Sequence, residues 1–156
     1  MSIVEDPRGF TLIEVIMTIM IIGILAVVAV PRLFNNGPFQ SRGFADQVQA
    51  TLRYGQKEAI AQHRNVCVTF TLPAPSTITL RIASVNGAAS ACDTNLMAPT
   101  GGAYVITATA GIAFAALPAA FNFDALGRPN PNAAQTINIT GATNGITIEA
   151  ETGYVH

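Results

Sequence analysis

The sequence predicts an α+β fold, in which a long N-terminal helix of membrane type packs against a C-terminal antiparallel, β-sandwich-like domain. Two observations support it. Residues 10–34 form an apolar run that holds one acid, Glu14. From residue 65 onward, short segments rich in β-branched residues alternate with Gly and Pro. We therefore expect a leader over residues 1–9, an apolar helix over 10–34, an amphipathic helix over 41–64 and a β domain over 65–156.

The apolar helix has the length of a membrane span, because about 20 residues at about 1.5 Å each cross the hydrocarbon core. A secretory signal peptide fits poorly. Its cleavage site follows the apolar region, whereas here the composition changes before that region, at Gly9. An acid in a span costs on the order of 2.5–3.5 kcal/mol at mid-bilayer, so Glu14 is a candidate functional residue. An ordinary signal anchor with a stray acid is the alternative.

The run Gly9-Phe10-Thr11-Leu12-Ile13-Glu14 and the helix behind it resemble the N-terminal signature of type IV pilins and type II secretion pseudopilins. The resemblance implies that a prepilin peptidase cleaves between Gly9 and Phe10 and that the new Phe10 amine is N-methylated. It also implies that Glu14 attracts the Phe10 amine of a neighbouring subunit during assembly. The expected partners are other pilins or pseudopilins, the peptidase, and the inner membrane before assembly.

The flanking charges and the family resemblance predict opposite orientations of the chain in the membrane. Arg32, Arg42, Arg53 and Lys57 would hold the C-terminal side in the cytoplasm under the positive-inside rule. The family resemblance implies the opposite, and we follow it because its signature is more specific than a charge count. The expected location is a single pass of the inner membrane with the C-terminal domain outside the cytoplasm, and then a pilus or a periplasmic pseudopilus.

The second helix is predicted from its period. The run Asn35-Asn36-Gly37-Pro38 opposes a continuing helix, so we expect a break there and a new start near Ser41. At 100° per residue, one face of this helix is apolar and should pack on the β domain. Its residues are Phe44, Val48, Leu52, Gly55 and Ala59. Gly55 should allow a strand to approach the helix closely.

The opposite side of this helix holds a basic cluster of Arg42, Arg53, Lys57 and Arg64. It is either a docking surface for DNA or an acidic partner, or a solvated face. In the second case Asp46 would pair with Arg42 at i, i+4.

Strands are expected at seven places, with the last two forming a hairpin: residues 66–72, 77–82, 104–109, 112–114, 121–123, 136–140 and 146–149. Residues 84–102 read as a surface loop that contains Cys92. Cys67 and Cys92 form either one disulfide or two buried thiols. A disulfide closing a loop of about 25 residues would stabilise by roughly 3 kcal/mol in the chain-entropy account.

The C-terminal turn Phe121–Pro129 and the final hairpin resemble the end of the GspH/FimT group of minor pilins and pseudopilins. The closing residues 149–156 are most similar to a minor pilin of mannose-sensitive haemagglutinin (MSHA) pili. DNA-uptake proteins of the group carry a basic cluster in the Gly-Arg turn. Here Arg128 is the one candidate DNA contact, and one cation neutralises about one phosphate, so nucleic acid is not an expected partner.

Composition and motifs favour a structural subunit over an enzyme. Charged residues are 11% of the chain, against about 25% in typical soluble domains. Removing residues 1–9 leaves seven basic and seven acidic side chains, a balance that attracts neither nucleic acid nor anionic lipid. No nucleophile-elbow, zinc-protease or phosphate-loop motif occurs. Asp124, Glu149 and Glu151 lack calcium-loop spacing, so we expect no metal, cofactor or small-molecule substrate.

Overall fold

The computed structural model describes residues 9–34, 37–87 and 91–156. The chain divides into two compact units, residues 1–36 and residues 37–156. Residues 1–8 of the expected leader, and Asn35 and Asn36 of the expected helix break, lie outside the described residues. In the described part of the first unit, residues 12–34 form helix α1, Leu12–Phe34.

The second unit begins with helix α2, Gly37–Gln62. This start is four residues earlier than the expected Ser41. Gly37 and Pro38 are thus helical, whereas the sequence predicted that the break would include them. The buried face of α2 is the predicted one, from Phe44 to Ala59, with Ser41 and Thr51 added. Gly55 contacts the sheet as expected, because a Cβ there would lie 3.3 Å from a Leu80 methyl group.

Two antiparallel sheets complete the second unit. The strands of the larger sheet are β1 Val66–Thr71, β2 Thr77–Ile82, β3 Thr94–Asn95, β4 Val105–Thr107, β5 Phe121–Phe123 and β6 Pro129–Asn130. Their order is β3-β2-β1-β5-β6, and β4 also pairs with β2. The smaller sheet is a hairpin of β7 Gln135–Ile137 and β8 Ile146–Ile148. The α+β prediction and the final hairpin are confirmed.

Some predicted strand positions were wrong. The segment at 112–114 contributes only a single bridge, between Phe114 and Ile139. The expected loop at 84–102 contains β3, and β6 was missed altogether. Two-residue strands are too short to show a period of two, and a proline marks an edge position where strand prediction is weak.

The core of the second unit lies where α2 meets the inner faces of the two sheets. Leu52, Ile78, Leu80, Phe123 and Ile148 are fully buried there. Phenylalanine rings run through this core in contact, with centroids 5.5 Å apart for Phe44 and Phe114 and 5.3 Å apart for Phe70 and Phe114. All these residues belong to the second unit, so it has a hydrophobic core of its own.

Candidate functional site

The residues around the expected cleavage position are open to an enzyme. Gly9, Phe10 and Thr11 precede the first helical residue, Leu12, and are exposed. A Cβ built on Gly9 would meet no atom within 4 Å. Packing within the described chain therefore does not require glycine at this position.

Glu14 lies in the first turn of α1, where Thr11 acts as the N-cap. The Glu14 amide donates to Thr11 Oγ1 at 3.3 Å and to the Thr11 carbonyl at 3.1 Å. The spacing Thr-x-x-Glu is that of a capping box, a signal present in the sequence that our sequence analysis missed. A carboxylate in the first turn is also stabilised by the positive end of the helix dipole. The hydrogen bonds of the cap thus go to the Glu14 backbone amide, and the Glu14 carboxylate favours the helix start through the dipole.

All residues of the first unit from Gly9 to Val27 are exposed. Among them are large apolar side chains on all sides of α1, such as Ile13 at 62% exposed, Ile19 at 60% and Leu25 at 62%, which lie about 120° apart around the helix axis. A helix that is apolar all round is normally buried in protein or lipid. Within the residues that the structure describes, no helix meets both the length and the apolarity that a membrane crossing requires.

Cys67 on β1 and Cys92 are joined by a disulfide. The neighbouring Asp93 carboxylate fixes the same segment, because it accepts hydrogen bonds from Ser84 Oγ at 2.6 Å and from the Ser84 amide at 2.7 Å. These two hydrogen bonds, the hydroxyl first, hold the pKa of Asp93 below its ordinary value of 3.8. Disulfide and carboxylate together attach the segment after β2 to the sheet.

Arg128 is engaged within its own turn. Its Nε and Nη2 both lie 3.2 Å from Asp124 Oδ2, while Asp124 Oδ1 accepts from the amides of Leu126 and Arg128. Gly127 makes this turn possible with φ of 80°. The guanidinium that sequence analysis offered as a DNA contact is thus already paired with a carboxylate.

The two C-terminal segments that carry the second resemblance meet on α2. Gln56 Nε2 donates to the carbonyls of Gly127 at 3.0 Å and Thr152 at 2.9 Å. Gly153 packs so closely here that a Cβ would clash with the Gly127 carbonyl oxygen. This contact joins positions far apart in the chain, and no local pattern predicted it.

The chain end is anchored next to this contact. Arg53 donates twice to the carbonyl of the buried Val155, at 3.0 Å. His156 exchanges backbone hydrogen bonds with Thr147, and its ring nitrogen Nε2 lies 3.0 Å from Glu149 Oε1. The last residues therefore form part of the smaller sheet.

The predicted basic cluster on α2 does not form a uniform surface. Arg53 binds Val155, and Arg64 donates to Asn86 Oδ1 at 3.1 Å. Arg42 forms no ion pair with Asp46; among the described residues, the arginine that pairs with a carboxylate is Arg128, with Asp124. Among all the residues that the structure describes, no group of three or more His, Cys, Asp or Glu side chains could hold a metal ion.

Two likenesses to known proteins agree with these features. Residues 7–30 match the family of the prokaryotic N-terminal methylation motif. The fold is similar to that of the type IV minor pilin FimU of Pseudomonas aeruginosa, with a TM-score of 0.54, 14% identity, and coverage of 78% of this chain and 90% of FimU. No curated protein matches the chain in sequence. The chain thus combines a prepilin-type N-terminal motif with the fold of a minor pilin.

Proposed function

We propose that this protein is a minor pilin, a subunit that initiates or caps a type IV pilus. The observation that carries the proposal is the methylation motif at residues 7–30 on a chain with the fold of a minor pilin. The exposed apolar surface of α1 supports it, because such a helix needs lipid or other subunits around it. In this function α1 anchors the protein in the inner membrane and then packs with other pilins in the filament.

The type of filament is proposed from the C-terminal sequence. The closing residues 149–156 favour an MSHA-like pilus. A GspH-type minor pseudopilin of the type II secretion system is the alternative, because both share the N-terminal motif. A FimT-like role in DNA uptake is less favoured, since the Arg128 guanidinium is paired with Asp124. The neighbouring genes, those for assembly ATPases and for other prepilins, discriminate between the pilus and the secretion system.

Maturation follows from the proposal. A prepilin peptidase removes residues 1–9, and the Phe10 amine is then N-methylated. The mature protein offers this amine to the Glu14 carboxylate of a neighbouring subunit, a partner that the acid needs in an apolar environment. The C-terminal domain lies outside the cytoplasm, a location that suits its disulfide.

Mass spectrometry of the protein recovered from membranes tests the proposal. We expect a mature N-terminus at N-methylated Phe10. Gly9→Val should leave a precursor that is nine residues longer, because the peptidase needs the backbone free of a side chain. Gly43→Val is the matched control, since a Cβ at either glycine meets nothing within 4 Å and only Gly9 lies at the cut. A mature N-terminus at any other residue would contradict the assignment.

A further inference from the structure

The sequence contains three Asn-Gly pairs, and the two that the structure describes are both exposed but differ in the hydrogen bonds that hold them. The pairs are Asn36-Gly37, Asn86-Gly87 and Asn144-Gly145. Asn36 lies outside the described residues, so the structure compares the other two. We propose that Asn144 is a deamidation site at which the chain slowly converts to an aspartyl or isoaspartyl product, whereas Asn86 is protected.

The reaction needs only water besides the chain. The Gly145 backbone nitrogen attacks the carboxamide carbon of Asn144 and forms a new C–N bond. The bond to the side-chain nitrogen breaks, and ammonia leaves with the proton of the backbone amide. Water then opens the succinimide ring at either carbonyl, which yields aspartate or isoaspartate. Glycine in the second position favours the attack, because no Cβ obstructs the approach.

Asn144 meets the requirements of this chemistry. It lies exposed in the turn between β7 and β8. Among the described residues, neither its carboxamide nor the Gly145 amide has a hydrogen-bond partner. Both the group that is attacked and the nitrogen that attacks are therefore free to move into the required geometry.

The fold also keeps the labile pair in place. A Cβ on Gly145 would lie 2.5 Å from Asn138 Oδ1 and 2.8 Å from Thr136 Cγ2. A larger residue after Asn144 would therefore have to displace these two side chains, which glycine leaves in place.

In contrast to the Asn144-Gly145 pair, both residues of the Asn86-Gly87 pair accept hydrogen bonds from side chains. Asn86 Oδ1 accepts a hydrogen bond from Arg64 Nε at 3.1 Å, which holds the carboxamide. The carbonyl of Gly87 accepts from Asn65 Nδ2 at 3.2 Å, which holds the following peptide. Asn86 therefore has to break native contacts before it can cyclise.

The change would alter a defined surface. Asn144 lines a recess of about 330 Å³ together with Arg42, Asp46 and Ala142. Either product puts a new negative charge there, beside Asp46. Isoaspartate also lengthens the backbone at residue 144, two residues before Ile146, which is buried and pairs with Ile137. We therefore expect isoaspartate to loosen the β7–β8 hairpin more than aspartate does.

Peptide mapping of the purified full-length protein in detergent tests the proposal and does not depend on the proposed function. Protein aged at mildly alkaline pH should show conversion of the Asn144 peptide, with isoaspartate detected by an isoaspartyl methyltransferase, while the Asn86 peptide stays largely intact. In urea both peptides should convert at similar rates. Arg64→Gln should raise conversion at Asn86 and leave Asn144 unchanged. An intact Asn144 peptide, or equal conversion of both peptides in folded protein, would overturn the proposal.

Discussion

Ser76 is fully buried between β1 and β2, and its hydroxyl has no hydrogen-bond partner among the described residues. A buried polar group without a partner costs free energy, because it has lost water and gained nothing. Ser76→Ala removes the hydroxyl and keeps the shape of the backbone. We expect the free energy of unfolding to rise by about 1 kcal/mol, measured by urea denaturation.

Ser41 is the matched control for this substitution. It is also buried, but its hydroxyl lies 2.9 Å from the Thr140 carbonyl and 3.0 Å from that of Gly37. Ser41→Ala leaves the Thr140 carbonyl without this donor, so it should destabilise by about 1 kcal/mol. If Ser76→Ala lowers the free energy of unfolding as Ser41→Ala does, the buried hydroxyl of Ser76 has a hydrogen-bond partner in solution and the prediction is wrong.

Asp93 gives the domain a predictable response to acid. Hydrogen bonds from Ser84 lower the pKa of its carboxyl below 3.8, the ordinary value. A lowered folded-state pKa contributes stability above the unfolded-state value, and that stability is lost as the pH falls through the folded-state pKa. Asp93→Asn should therefore be less stable than the wild type near neutral pH, and the gap should narrow in acid. Thermal unfolding over this pH range measures it, and a gap that does not change with pH would contradict this account.

The C-terminal end of α2 has the hydrogen bonds of a Schellman motif. The Arg64 amide donates to the Ala59 carbonyl at 3.2 Å, and the His63 amide donates to that of Ile60 at 3.4 Å. His63 occupies the position usually taken by glycine, with φ of 52°. The helix end is predictable from the sequence to within two residues, but this left-handed position is not, because no glycine marks it.

His63→Gly should relieve the strain of the left-handed backbone. A side chain in this conformation costs roughly 1–2 kcal/mol, and the flexibility of glycine in the unfolded chain offsets part of the gain. We expect a net gain of about 0.5–1 kcal/mol in urea denaturation. His63→Ala keeps the Cβ and should show no such gain, so equal stability of the two variants would rule out backbone strain as the cause.

At the scale of elements, prediction succeeded where a repeating pattern was long. Five apolar positions of α2 repeat over more than four turns, so the buried face from Phe44 to Ala59 followed from the period alone. Strands β3 and β6 have two residues each, and their place depends on neighbours distant in sequence. Pro129 is an example, because it pairs with Phe123 only after the turn at Gly127 has reversed the chain.

At the scale of the whole molecule, the N-terminal motif was predictable from the sequence, whereas the contacts that join the C-terminal segments to α2 were not. Residues 9–14 are contiguous, so their pattern is complete in the sequence. The contact of Gln56 with Gly127 and Thr152 joins three segments through hydrogen bonds to backbone carbonyls. Any residue can supply a backbone carbonyl, so the sequence contains no signal for these bonds.

Glu14 links the local structure to the proposed assembly, and its two roles can be separated. Its amide is capped by Thr11, and its carboxylate is the expected partner of a neighbour's Phe10 amine. Glutamine supports a capping box as glutamate does, but it lacks the charge. Thr11→Ala, in contrast, removes the cap and keeps the charge. The two variants together show which role matters in the filament.

We expect Glu14→Gln and Glu14→Ala to reach the membrane at normal levels, with an unchanged C-terminal domain, and to be lost from sheared filaments. The reason is that a Phe10 amine buried between packed helices without its carboxylate is an unpaired charge in an apolar environment, which is strongly destabilising. Thr11→Ala should cost the isolated helix about 1 kcal/mol, yet it should still assemble, because neighbouring helices hold α1 in place. Recovery in sheared filaments, quantified against the membrane fraction, measures all three. Normal recovery of Glu14→Gln combined with loss of Thr11→Ala would assign the motif to helix capping and refute charge pairing between subunits.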